Sequence, residues 1–191
     1  MSSRKEDHFM NKQKLLKLVF AAMFAALICV ATMAIRIPSP MNGYVNFGDC
    51  FILVAAWVLG PVYGFAAGGI GSALADLFSG YAHYVPGTFV IKGLIAVAAA
   101  LIARAVIEKA PKLRLLGYAA GAVVGETIMV FGYFGYAALL LGKGFGAWAS
   151  VPGNLVQGAF GVVVGTVIIQ ILSASGVLKK VTMQEPHARV R

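Results

Sequence analysis

Five apolar stretches, residues 15–35, 47–78, 87–107, 115–141 and 152–178, occupy most of the 191-residue chain. About 20 helical residues match the ~30 Å hydrocarbon core of a bilayer, where backbone polar groups are satisfied only inside helices or closed barrels. The expected fold is therefore an all-α integral membrane protein. Composition agrees, because 60% of residues are hydrophobic and 12% are charged, about half the ~25% of soluble domains.

The run 15–35 follows Lys12 and Lys14 and contains Lys17. It is longer than the core of a signal peptide and lacks a small-x-small cleavage site, so it reads as the first span. The stretch 47–78 is long for one span and short for two full ones, and Gly60-Pro61 divides it. Six helices are expected, at about 15–35, 48–60, 62–79, 87–107, 115–141 and 152–178, with tails at 1–14 and 179–191. An even number puts both termini on one side. Arg4, Lys5, Lys12, Lys14 and Lys17 precede helix 1; Arg104, Lys109, Lys112 and Arg114 lie around the turn between helices 4 and 5; Lys179, Lys180, Arg189 and Arg191 follow helix 6. Only Arg36 and Lys143 fall on the other face, with Lys92 inside helix 4. The positive-inside rule then places both termini in the cytoplasm. The net charge of +9 has this topological reading, and no nucleic-acid partner is expected. Cys29 and Cys50 have neither metal-ligand nor disulfide spacing, and no metal site is expected.

Four ionisable residues, Asp49, Asp76, Lys92 and Glu126, lie in or beside these spans. A charge in hydrocarbon costs on the order of 3 kcal/mol or more, so such residues face a packed interior or a wet cavity. In the six-helix topology Asp49, Asp76 and Lys92 share an outer layer, whereas Glu126 is roughly 16 Å from the cytoplasmic end of helix 5. The asymmetry suggests a pocket opening outward rather than a continuous ion path. Simpler roles compete: Asp49 is placed to cap helix 2, Asp76 is placed to pair with Lys92, and Arg104 and Glu108 have the spacing of an interfacial ion pair. Glu126 has no cation three or four residues away. The outer connections add Asn42, Tyr44, Asn46, Tyr81, His83 and Tyr84, and later Tyr133, Tyr136, Trp148, Asn154 and Gln157. Some of these aromatic residues suit an interfacial belt. Asn154 and Gln157 share a helix face, and buried amides need partners. A planar heterocycle with ring nitrogens and hydroxyls fits aromatic walls with amide and carboxylate partners.

Small residues recur every four positions at Gly64/Gly68, Gly117/Gly121/Gly125 and Gly161/Gly165, a pattern of close helix packing. Ala21, Ala22, Ala25 and Ala26 form two Ala-x-x-x-Ala ridges on helix 1. No phosphate-binding Gly-x-x-x-x-Gly-Lys-Ser/Thr, His-Glu-x-x-His or Gly-x-Ser-x-Gly element is present, so neither ATP hydrolysis by this chain alone nor intramembrane hydrolysis is expected.

The segments Asn46-Phe-Gly-Asp49, Leu59-Gly-Pro-Val-Tyr-Gly64, Gly68-Gly-Ile-Gly-Ser-Ala-Leu-Ala-Asp76, Gly80-Tyr81, Thr88-Phe-Val-Ile-Lys-Gly93, Gly132-Tyr133 and Val151-Pro-Gly-Asn-Leu-Val-Gln157 occur in this order. With the ridge on helix 1, nearly the whole chain resembles the substrate-binding S component of energy-coupling factor (ECF) vitamin transporters. It is most similar to the branch containing riboflavin, pyridoxine and hydroxymethylpyrimidine carriers. The resemblance implies a multi-pass protein of the bacterial cytoplasmic membrane that is not an enzyme. It would capture a vitamin from outside and join a transmembrane coupling subunit and two cytoplasmic ATPases. ATP and Mg would belong to those ATPases, with no cofactor in this chain, and hydrolysis would topple the S component in the bilayer. The ridge at Ala21/Ala25 or Ala22/Ala26 would dock the coupling subunit. Helices 4 to 6 and the outer loops would form the pocket, with Lys92, Glu126, Tyr133, Asn154 and Gln157 as first candidate contacts and Asn46, His83, Tyr84 and Trp148 beside them. A single intramembrane Lys among several acids argues against a multiply anionic cargo. Pyridoxine or hydroxymethylpyrimidine is preferred and riboflavin comes next. A proton-coupled secondary transporter using Glu126 and Asp76, or a structural membrane protein, are the other classes to weigh.

Overall fold

No glycine or proline interrupts residues 2–34, and α1 (Ser2–Ala34) runs through all of them. In the computed structural model, which describes residues 2–39, 43–176 and 178, the helix thus starts well before the apolar run that begins at Leu15. The expected C-terminal tail at 179–191, with its four cations, and Asn42 lie outside the described residues. So do the side chains of Arg4, Lys5 and Lys12.

Past α1, an unexpected hairpin forms. Strands β1 (Arg36–Ser39) and β2 (Gly43–Asn46) pair antiparallel, with Ile37 opposite Val45 and Pro38 opposite Tyr44. Each strand has only four residues, too few for a visible alternation. The chain re-enters as α2 (Gly48–Leu59) and breaks at Gly60, whose φ of +83° suits a residue without a Cβ. Pro61 then occupies the first position of α3 (Pro61–Phe78), where its missing N–H costs nothing. The remaining helices are α4 (Val85–Lys109), α5 (Arg114–Gly135) and α6 (Val151–Ala174). Where helix 5 was expected to reach 141, the backbone widens into a π-turn over Tyr136–Leu140, and a 3-10 segment (Gly144–Ser150) leads into α6.

Among the described residues, four helical stretches are long and apolar enough to cross a bilayer: Gln13–Ala34, Val85–Lys109, Pro111–Leu140 and Gly144–Ala174. Large apolar side chains such as Leu18, Val30, Leu101, Val163 and Ile171 point outward, as in a protein whose solvent is lipid. Helix α2 differs. At 12 residues it is about 18 Å long, and it is buried on nearly every side, packing on α1, α3, α4 and α6. It is the centre of the bundle, which takes Asp49 in its first turn into the interior.

Glycines set the close helix contacts. A Cβ at Gly71 would lie 2.5 Å from the Ala25 carbonyl oxygen, and one at Gly121 2.6 Å from that of Ala99. Those backbones approach closely, α3 to α1 and α5 to α4, because no side chain intervenes. At the far end of α4, Arg104 donates to Glu108 at 2.7 Å, but these side chains are 71% and 61% exposed. Removing this pair with Arg104→Ala is expected to shift stability by no more than about 0.5 kcal/mol in a thermal melt.

Candidate functional site

One polar cavity lies between the helices at the hairpin end of the bundle, with about 570 Å³ of space including its mouth. Helix α4 contributes Thr88 and Lys92, four residues apart and so on one face. Asn154 and Gln157 enter from α6, Tyr133 from α5, Tyr84 from the start of α4, and Tyr44 and Asn46 from β2. Thr32 of α1, Ser72 and Asp76 of α3, and Ser150 complete the lining.

Behind this lining Lys92 forms an ion pair with Asp49, both side chains being almost fully buried. The pairing of Lys92 with Asp76 raised by the sequence does not form, because central α2 brings Asp49 to α4 first. Gln157 locks the pair in place. Its Nε2 donates to Asp49 Oδ2 at 2.6 Å, and its Oε1 accepts from the Asn46 backbone N–H at 2.8 Å. Asn46 in turn accepts from the Gly48 N–H at 2.9 Å. Gln157 therefore ties α6 to β2 and to the first turn of α2. Lys92 also reaches Met129 Sδ at 3.2 Å and lies over the Tyr133 ring, 5.5 Å from its centroid.

Asp76 has a different partner. The Tyr44 hydroxyl donates to its Oδ1 at 2.6 Å, fastening the hairpin to α3. Burial, and next the Asp76 carboxylate, push the Tyr44 phenol above its ordinary range, so it stays protonated as a donor. At the rim, Lys143 donates to the Tyr84 hydroxyl at 3.1 Å and sits over its ring.

Of the nine ligand-contact candidates, Lys92, Tyr133, Asn154, Gln157, Asn46 and Tyr84 line the cavity, and three do not. Glu126 is 4% exposed and packs behind Asp49 on a floor made by Gly158 and Gly161, where a Cβ would meet its side chain at 3.0 and 2.9 Å. Neither of its carboxyl oxygens has a protein hydrogen-bond partner. His83 is exposed, its ring against Tyr81 and Tyr84, and its carbonyl accepts from Tyr136. Trp148 is 51% exposed and stacks on Phe145. Both follow their connections outward, the first before α4 and the second on the 3-10 segment. The ridge on α1 also divides. Ala21 and Ala25 are buried, Ala25 against α3 at Gly71, so only Ala22 and Ala26 face outward.

Thr32, Ser72 and Thr88 were not foreseen, because hydroxyl residues are ordinary in apolar helices and nothing local marks these three. Ser150, in the connection before α6, carries no local mark either.

Residues 12–174 match the family described as the S component of the ECF-type riboflavin transporter. The chain belongs to this family. As an S component it is a multi-pass membrane protein and a substrate-capture subunit of a vitamin-type transporter, not an enzyme. A related sequence, 40% identical over 139 residues, spans 72% of this S component and 88% of its own length. It is described as an uncharacterized protein in the gap 3′ region of Pyrococcus woesei.

Proposed function

We propose that this S component binds a neutral, hydroxylated nitrogen heterocycle in the cavity between Lys92, Asn154, Gln157 and Asp76, and hands it to an ECF coupling subunit. The observation that carries the cargo class is the state of Lys92, the single cation among the described lining residues, which Asp49 already neutralises. A phosphorylated vitamin would bring a dianion beside Asp76, with no unpaired cation among the described lining residues to meet it. Tyr84 and Tyr133 supply aromatic surface for a planar ring, and the amides and hydroxyls supply directional contacts.

Charge argues equally for riboflavin, pyridoxine and hydroxymethylpyrimidine, since all three are neutral or weakly basic. The family description favours riboflavin among them. Pyridoxine and hydroxymethylpyrimidine, ahead on the sequence alone, are smaller ligands of the same chemistry. Six spans with both termini in the cytoplasm agree with the placement of Lys and Arg, and put the hairpin end of the cavity outside. Ala22 and Ala26 are the open ridge on α1 for a coupling subunit in the cytoplasmic membrane, with ATP and Mg held by two cytoplasmic partner ATPases.

Titration calorimetry of the detergent-purified chain tests the cargo class. Riboflavin is expected to bind one to one, and its 5′-phosphate at least about tenfold more weakly. Equal or tighter binding of the phosphate would contradict the reading.

A further inference from the structure

Three residues that line the cavity each carry a polar atom outside the hydrogen-bond network around Lys92. Thr32 Oγ1, Ser72 Oγ and Asp76 Oδ2 are buried without a hydrogen-bond partner in the protein. Their residues are 3%, 2% and 5% exposed. Buried polar groups in folded proteins are nearly always paired, so three orphans on one cavity wall call for a common partner.

The fold builds this wall. Gly71 lets α3 approach α1 until its backbone touches Ala25, and Ser72 and Asp76 follow one turn apart on α3. Thr32 is two turns beyond Ala25 on α1. Its hydroxyl occupies space opened by Gly48, where a Cβ would stand 2.1 Å from Thr32 Oγ1. Asp76 is held by Tyr44 on Oδ1, which leaves Oδ2 without a protein partner. Thr88 also approaches Asp76, but it is within hydrogen-bond distance of Tyr133, 3.0 Å away.

We propose that Thr32, Ser72 and Asp76 form a hydroxyl-reading subsite that takes the alcohol groups of the cargo. An ionised carboxylate accepts hydrogen bonds and donates none, so Asp76 Oδ2 needs a ligand O–H or N–H. Serine and threonine hydroxyls donate and accept, and an alcohol does the same. A ring carbonyl offers Asp76 nothing. The subsite therefore selects cargo carrying a hydroxymethyl group or polyol chain, and the ring lies toward Tyr84, Tyr133 and the amides. This rests on the cargo class proposed above, and specifies which part of the molecule α1 and α3 recognise.

Matched ligand pairs test it: riboflavin against lumiflavin, which keeps the ring and lacks the ribityl alcohols, and pyridoxine against 2,4,5-trimethylpyridin-3-ol, which keeps the ring and lacks both hydroxymethyl groups. Affinities are measured for the full-length wild type and for Thr32→Val, Ser72→Ala and Asp76→Asn, each checked for an unchanged melting temperature. In the variants the alcohol-bearing member of the bound pair is expected to weaken about tenfold or more, and its partner to change by less than about twofold. Equal weakening of both members, or of neither, overturns the subsite while leaving the cargo class standing. If folded wild type binds none of these ligands, the cargo reading falls and the subsite with it, a result visible before any variant is made. Should Asp76→Asn fail to fold, the two hydroxyl variants carry the same comparison.

Discussion

Lys92→Ala is expected to lower stability by about 3–5 kcal/mol, because it strands the Asp49 carboxylate in the centre of the bundle. Asp49 is 1% exposed, and with Lys92 gone its remaining side-chain partner is Gln157. Asp49→Ala should cost a similar amount by leaving the ammonium unpaired beside Met129 and Tyr133. The double variant Lys92→Met/Asp49→Leu removes both charges and keeps the volume, and should recover much of the loss, since a buried ion pair and an apolar pair of like shape are often close in energy. Thermal melts in one detergent read this out as a fall on the order of 10 °C for each single change. A double variant as unstable as the sum of the singles would show that the ion pair is not the coupling element.

Gly121→Ala, a change of one methyl, should cost at least about 2 kcal/mol. The new Cβ would sit 2.6 Å from the Ala99 carbonyl oxygen and 3.2 Å from its carbon. Those are backbone atoms, so α4 and α5 must separate to admit it. Gly135 on the same helix has open space where a Cβ would be. Gly135→Ala should stabilise by about 0.5–1 kcal/mol through helix propensity alone. Equal melting temperatures for the two alanine variants would mean that α4 and α5 do not pack through Gly121.

How far the sequence could be read depended on the range over which each signal acts. The Gly60-Pro61 break is local chemistry and was visible, as was the Gly117/Gly121/Gly125 stripe, because four-residue spacing lines one helix face. The pairing of Lys92 was not visible. Asp49 and Asp76 lie in the same layer, and only the central position of α2, a tertiary fact, brings the former to α4. Glu126 illustrates a second limit. Its lack of a neighbouring cation correctly marked it as unusual, but sequence does not say which way a buried carboxyl turns, and it packs on Gly158 and Gly161 behind the cavity wall. His83 and Trp148 have suitable chemistry and lie near the outer face, yet their connections turn both side chains outward. Thr32 and Ser72 had no signal until the α1–α3 approach through Gly71 placed them on the same cavity.

The most direct test of the central claim is native mass spectrometry of the purified chain with riboflavin, pyridoxine or hydroxymethylpyrimidine added in turn, repeated for Gln157→Ala and Asn154→Ala. A one-to-one complex with one neutral vitamin, reduced in both variants while their melting temperatures show folded protein, is the predicted result. Folded wild type that holds none of the three, or variants that hold the vitamin as well as wild type does, would contradict capture in this cavity.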